Sequence, residues 1–85
     1  MKVAYTKEFI KEFKRLPKNI KIIAEQKEFL FKQNPYNHQL RTHRLKGKLD
    51  GYLAFSVNYR YRVIFRYGAG DVVYFVAVGG HEVYK

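Results

Sequence analysis

The sequence predicts an α+β domain with the element order β-α-α-β-β-β, in which a two-helix hairpin packs on one face of a mostly antiparallel sheet. Three observations lead to this prediction. Apolar residues recur at helical spacing between Thr6 and Asn34, they alternate with a period of two from Tyr52 onward, and proline and glycine mark the boundaries. A chain of 85 residues suits a single domain covering 1–85.

The first part of the chain predicts a short strand followed by two helices. Residues 2–5 can form the strand, and Thr6 is a suitable N-cap for the first helix. Pro17 either stops this helix or opens the second, and Asn34-Pro35 ends the second. The predicted core positions of the two helices are Phe9, Phe13, Leu16, Ile20, Ile23, Ala24, Leu30 and Phe31. Ile22 and Phe29 lie off this stripe, and core packing is favoured over a docking patch for a partner helix.

The second part predicts a loop and then a three-stranded meander. Residues 35–44 are polar and irregular, so they are predicted to form the loop. Two alternating segments follow, separated by a turn at Asn58-Tyr59-Arg60. A second turn at 68–71 precedes the apolar run 72–78, which is predicted to be a buried central strand. Gly79-Gly80 ends this strand.

Net charge is the strongest compositional signal. Lys and Arg number 17 against 7 acidic residues, which gives a formal net charge of +10. Such a field attracts polyanions, either the phosphate backbone of a nucleic acid or an acidic protein. The absence of Cys fits a reducing cytoplasm and leaves no thiolate metal site. No apolar run has the roughly 20 residues that cross a bilayer, so no membrane partner is expected.

The cations concentrate in the middle and later chain. No acid occurs between Glu28 and Asp50, or from Gly51 to Gly70. An open sheet face that carries basic and aromatic side chains can accept single-stranded RNA. The residues predicted to bind RNA are Arg41, Arg44, Lys46, Lys48 and Arg60.

Arg62 and two histidines are the candidates for chemistry. Arg62 interrupts a strand otherwise suited to burial, and a guanidinium offers a phosphate paired donors in a fixed fork. His81 follows the double glycine and His43 precedes a basic segment, and imidazole exchanges protons near neutrality. Two histidines and an arginine suffice for a ribonuclease without metal: a base, a phosphate clamp and an acid. The three histidines lack the spacing of a metal site, and neither a metal nor another cofactor is predicted.

Three segments in order resemble the RelE/ParE toxin superfamily, nearest its RelE-like ribonuclease branch, which includes the YafQ and YoeB types. The segments are His43-Arg44-Leu45-Lys46-Gly47-Lys48-Leu49-Asp50-Gly51-Tyr52, Tyr61-Arg62-Val63-Ile64-Phe65 and Val78-Gly79-Gly80-His81-Glu82-Val83-Tyr84. The resemblance implies a toxin that cleaves mRNA in the ribosomal A site. It also implies an acidic antitoxin that wraps the toxin, and operator DNA bound only through the complex.

The resemblance also implies roles for individual residues. Arg62 corresponds to the arginine that contacts the scissile phosphate, and Tyr84 to a C-terminal aromatic that orients the substrate. We expect His43 to act as base and His81 as acid, or the reverse. The chain departs from the family where RelE itself has strand lysines, since Leu53 and Phe55 stand there, and where the YafQ type has a further His and Asp, since Ser56 and Arg60 stand there.

Three alternative functions fit the same sequence. A ParE-like inhibitor of DNA gyrase would share the fold and need no catalytic pair. A non-catalytic module would use its basic face only to bind an acidic antitoxin. A relative that has lost its activity would keep the fold alone.

Overall fold

A mixed sheet of five strands carries the helices, in a computed structural model that describes residues 1–84, with Tyr84 described by its backbone alone. The strand order across the sheet is β1-β5-β4-β3-β2. Short 3-10 turns lie at His38–Leu40, Gly47–Leu49 and His81–Tyr84. The elements are β1 (Lys2–Tyr5), α1 (Lys7–Lys14), α2 (Lys18–Gln33), β2 (His43–Arg44), β3 (Leu53–Ser56), β4 (Arg62–Tyr67) and β5 (Val72–Gly79).

The predicted fold class is confirmed, with one additional strand. β1 pairs parallel to β5, and all other neighbours in the sheet are antiparallel. The prediction that residues 35–44 form only a loop is wrong at its end, because His43 pairs with Ala54 and Arg44 with Leu53. A strand of two residues has no alternation that the sequence could reveal.

Thr6 caps α1 as predicted and ties the helix to the sheet. Its hydroxyl accepts a hydrogen bond from the Phe9 amide (3.1 Å) and donates one to the Val76 carbonyl (3.2 Å). Pro17 performs both predicted functions. α1 ends at Lys14 and is capped by Arg15, and Pro17 follows two residues later. Pro17 has an extended backbone and is the N-cap of α2.

Four phenylalanine rings form the centre of the core between the helices and the sheet. Phe31 of α2 lies 5.0 Å from Phe55, 4.8 Å from Phe65 and 5.3 Å from Phe75, measured between ring centroids. All four side chains are fully buried. Contacts between aromatic rings add to the area that each ring buries, which helps a domain of this size reach a stable core.

Ile22 and Phe29 do not join this core, so the favoured prediction for these two residues is wrong. Their exposed fractions are 49% and 63%. The stripe of buried residues Ile20, Ala24 and Phe31 faces the sheet, and within residues 1–84 no second layer covers the outer side of α2.

A bulge in β5 changes which side chains face the helices. Ile64 pairs with Ala77 and Phe65 with Phe75, so Val76 has no partner in β4. The alternation in β5 therefore shifts by one residue at this point. Val73, Phe75 and Val78 all reach the core as a result.

The double glycine allows the chain to fold back after β5. A Cβ atom on Gly79 would stand 2.8 Å from Glu82 Oε1 and from Val83 Cγ1. The last 3-10 turn therefore packs directly on the glycine backbone. Within the described residues, no helix is long and apolar enough to cross a membrane.

Candidate active site

The sheet face turned away from the helices, here called the open face, positions the candidate site. Val63 and Phe65 of β4 belong to the core, so Arg62 and Ile64, which alternate with them, point to the open face. Register places Ser56 of β3 on one side of Arg62 and Gly79 of β5 on the other. Arg62 thus lies in the middle of a row that crosses three strands.

A pocket of about 460 Å³ lies beside Arg62. It is bounded by the loop before β2, by β2, and by the β3–β4 turn. Its lining contains cationic and neutral polar side chains and no carboxylate. The lining residues, which define the Arg62 pocket, are Gln39, Arg41, His43, Ser56, Asn58, Tyr59 and Arg62.

Arg62 has an incompletely satisfied guanidinium. Its Nη1 atom is buried and has no hydrogen-bond partner within the described residues. The salt bridges among residues 1–84 join the Met1 amine to Asp71 and Lys32 to Glu28. Arg62 therefore has no carboxylate partner among these residues. A buried donor without an acceptor costs about 1–3 kcal/mol. Such a donor on a pocket wall is suited to an anion that brings the missing acceptor.

His43 is held by the backbone next to it. Its Nδ1 atom lies 2.9 Å from the Arg41 carbonyl oxygen, which can only accept a hydrogen bond. In the neutral ring Nδ1 therefore carries the proton and Nε2 keeps its lone pair. Arg41 adopts a left-handed conformation with φ 52°, which turns the chain into β2. This local geometry orients an imidazole that can accept a proton.

His81 lies across β4 from the Arg62 pocket and does not line it. His81 is exposed and lies two residues after Gly79, the residue of β5 that pairs with Arg62. Glu82 Oε1 accepts a hydrogen bond from the Gly80 amide (2.9 Å) and thereby fixes the start of this turn. Hydrogen bonds from its own amide and from the Gly80 amide lower the pKa of the Glu82 carboxyl, and the charges of Arg60 and His81 add to this effect.

The side chain of Tyr84 lies outside the described residues, so its expected role has no structural counterpart.

The other predicted RNA-binding residues divide among three places. Arg41 lines the Arg62 pocket, and Arg60 stands at the β3–β4 turn beside Glu82. Lys46 and Lys48 are exposed near the Gly47–Leu49 turn. Arg44 pairs with Leu53, a core residue, so it points to the helix side, where its charge acts on Tyr67.

Sequence reasoning missed four lining residues: Gln39, Ser56, Asn58 and Tyr59. Asn58 had a recognisable signal, since asparagine commonly bonds the backbone two residues on, and its Oδ1 accepts from the Arg60 amide (2.9 Å) and the Tyr61 amide (2.8 Å). Ser56 required the register of β3 against β4. In the described part of the chain, no group of three His, Cys, Asp or Glu side chains could hold a metal ion.

Comparison with protein families gives one match that spans almost the whole chain. The model of the ParE toxin of type II toxin–antitoxin systems, parDE, matches residues 3–83. No curated protein sequence matches the chain.

Solved structures with the same fold are known. A YoeB/ParE toxin from Agrobacterium tumefaciens superposes with a TM-score of 0.79 at 19% identity, covering 95% of this chain and 99% of that one. YafQ from E. coli superposes with a TM-score of 0.79 at 20% identity, covering 96% and 94%. The E. coli DinJ–YafQ complex gives 0.68 at 19% identity, covering 95% and 93%. The α+β arrangement is thus that of the YoeB and YafQ toxins.

Proposed function

The chain belongs to the ParE toxin family of type II toxin–antitoxin systems, and from this premise we propose that it is an mRNA-cleaving ribonuclease that works without metal at the Arg62 pocket. The observation that carries the proposal is the buried Arg62 Nη1 atom, which has no hydrogen-bond partner in residues 1–84, on the wall of a pocket that His43 also lines. A scissile phosphate supplies the missing acceptor.

Arg62 stabilises the charge that develops on the phosphate. The guanidinium is already in place and partly buried, so its attraction to the transition state is weakly screened and needs little reorganisation. Arg41, on the same pocket wall, adds a second positive charge. Ser56 and Asn58 offer neutral donors to the ribose and to the phosphate oxygens.

His43 is the general base in this proposal. The hydrogen bond from Nδ1 to the Arg41 carbonyl leaves Nε2 to remove the proton from the ribose 2′-OH. The 2′ oxygen then forms a bond to phosphorus as the bond from phosphorus to the 5′ oxygen breaks. The products are a 2′,3′-cyclic phosphate and a free 5′ hydroxyl.

His81 is the general acid that protonates the leaving 5′ oxygen. In an in-line displacement the attacking and leaving oxygens lie on opposite sides of the phosphorus. His43 and His81 are reached from opposite sides of β4, with Arg62 between them. This placement suits one base, one clamp and one acid. The proposed role of Tyr84, orientation of the substrate, rests on the family resemblance alone.

The remaining cations bind the RNA beyond the reacting phosphate. Arg60 is next to the turn that carries His81, and Lys46 and Lys48 project from the loop between β2 and β3. Arg44 faces the other side of the sheet and is proposed to contact RNA only outside the pocket. These contacts make binding strongly dependent on salt.

The proposed partners are mRNA on the ribosome and an acidic antitoxin. YafQ forms a complex with DinJ, and this chain has the same fold and a net charge of +10 that favours an acidic protein. Operator DNA is bound only through the toxin–antitoxin complex in this proposal, and the site of action is the cytoplasm.

Inhibition of DNA gyrase is the second candidate function, because the matching family model is that of ParE. It requires no pocket for a phosphate and no imidazole beside one. A non-catalytic module that only binds an antitoxin makes the same prediction for the pocket residues.

Inducible expression in bacteria, with mapping of new mRNA 5′ ends, separates these functions. Arg62→Gln is compared with Arg15→Gln at the end of α1, and His43→Gln with His38→Gln in the neighbouring loop. We expect the wild type and both controls to arrest growth and cut translated messages. Arg62→Gln should lose about 100- to 1000-fold in cleavage rate, and His43→Gln about 100-fold or more. Arrest without new mRNA ends would overturn the proposal in favour of gyrase, and no arrest from folded wild type would favour a docking module.

A further inference from the structure

A second cationic position on the open face lies beyond the Arg62 pocket. Arg66 of β4 pairs with Tyr74 of β5, and the guanidinium carbon stands 4.5 Å from the centroid of the tyrosine ring. The ring leans over the β4–β5 turn, since a Cβ atom on Gly68 would overlap it. Tyr74 therefore has a defined place between the Gly68 backbone and the Arg66 side chain.

Arg66 shares its strand and its face with Arg62. The core residues Val63 and Phe65 point to the helices, so Arg62, Ile64 and Arg66 all point to the open face. The bulge lies in β5 and leaves the alternation in β4 intact. Arg66 follows Arg62 by four positions in the strand, which places their Cα atoms about 13 Å apart.

The charge of Arg66 is available to a ligand. Its side chain is exposed and forms no salt bridge with the described residues. Asp71 lies in the adjoining turn, but its carboxylate bonds the Met1 amine at 2.7 Å. Stacking of a tyrosine on the face of a guanidinium leaves the N–H donors at the edge free to bind a phosphate.

We propose that Arg66, oriented by Tyr74, binds a second phosphate of the same single-stranded RNA, more than one nucleotide away from the phosphate at Arg62. This inference rests on the proposed ribonuclease function and specifies how the substrate lies. The RNA strand runs from the Arg62 pocket along β4 to the β4–β5 turn and passes over the side chains that cover Ile64, which is itself buried. Arg66 contributes to substrate affinity and has no part in the bond-making steps.

Binding of RNA oligonucleotides of different length tests the proposal. The probes carry 2′-O-methyl groups, so that they cannot be cleaved, and span about two to six nucleotides. Wild type should bind the longest probe more tightly than the shortest. Arg66→Gln should bind the shortest probe like wild type but lose about tenfold on the longest, with a salt dependence lower by about 0.7 in log–log slope, as for one lost phosphate contact.

Matched variants make the result specific to this position. Arg15→Gln removes the same charge on the helix side and should bind every probe almost like wild type. Tyr74→Phe keeps the stacked ring and should retain affinity, whereas Tyr74→Leu should lose part of the gain with length. Suppose that Arg66→Gln binds the longest probe as tightly as wild type does, while Arg62→Gln binds no probe. This result would overturn the second phosphate position at Arg66 and leave the ribonuclease proposal standing. Failure of wild type to bind any probe at low salt would count against the ribonuclease proposal itself.

Discussion

The two faces of the sheet carry different kinds of side chain, apolar and fully packed on the helix side and partly polar on the open face. The helix side is a cluster of buried side chains around Phe31, whose ring contacts Phe55, Phe65 and Phe75. The open face carries Arg62, whose Nη1 atom is buried without a hydrogen-bond partner in residues 1–84. One strand serves both, because Val63 and Phe65 alternate with Arg62 and Ile64. A shift of a single residue along β4 thus separates the buried core from a guanidinium with an unsatisfied donor.

Truncation of the central ring should have the largest effect on folding. Phe31→Ala removes the ring that contacts Phe55, Phe65 and Phe75, and leaves a cavity that rigid neighbours cannot fill. We expect the free energy of unfolding to fall by about 3–5 kcal/mol, enough to unfold much of a small domain. Chemical denaturation followed by circular dichroism measures this, with Phe29→Ala as the exposed control on the same helix. Equal losses for the two variants would contradict the central place of Phe31 in the core.

Replacement of Arg62 by an apolar side chain should preserve or raise stability while it lowers RNA cleavage. Arg62→Met removes a buried donor that lacks a partner, so the free energy of unfolding should stay level or rise by about 1 kcal/mol. Under the proposed function, RNA cleavage should fall at least about 100-fold in the same protein. Denaturation and cleavage assays on one preparation check both. A clear loss of stability would show that the guanidinium supports the fold.

Loss of the α1 cap should have a moderate effect on the helix side. Thr6→Ala removes the acceptor of the Phe9 amide and the donor to the Val76 carbonyl. The free energy of unfolding should fall by about 1 kcal/mol. Thr6→Ser keeps the hydroxyl and should recover most of it in the same denaturation experiment. A serine variant as weak as the alanine variant would assign the effect to the lost methyl group.

The smallest expected effect concerns Tyr67, at the end of β4 on the helix side. Burial, followed by a hydrogen bond and the proximity of Tyr36, raises the pKa of Tyr67 to about 12, against a smaller lowering by Arg44. Because the folded state holds this proton more tightly than the unfolded state, the related stability is present below pH 10 and declines as the pH rises toward 12. Tyr36→Phe should lower the pKa of Tyr67, read from phenolate absorbance with Tyr67→Phe as the reference. An unchanged titration would remove Tyr36 as a cause.

Sequence periodicity predicts most of the helix side of the molecule. Phe9, Leu16 and Phe31 follow a 3.6-residue period and are buried, and Thr6 caps α1 as expected. Ile22 and Phe29 were misjudged because periodicity tells which residues share a face and not how many layers cover a helix.

The open face was less predictable because it depends on pairing between distant segments. Arg62 was identified as an unusual charge in an apolar strand, but its neighbours Ser56 and His43 follow from register and from a two-residue strand. The bulge at Val76 also lacks a sequence signal, since every residue around it is apolar. Local patterns encode elements, whereas a pocket between strands requires their alignment.

The parallel pairing of β1 with β5 has a consequence for the order of folding. Lys2 pairs with Val72 and Tyr5 with Phe75, so β1 pairs with the strand that lies furthest from it in the chain. Contacts between such distant parts of a chain close late and slow the folding reaction. β5 also supplies the Gly79 partner of Arg62. The open face therefore takes shape only once β5 has joined the sheet, so any activity that depends on this face awaits the slowest pairing of the fold.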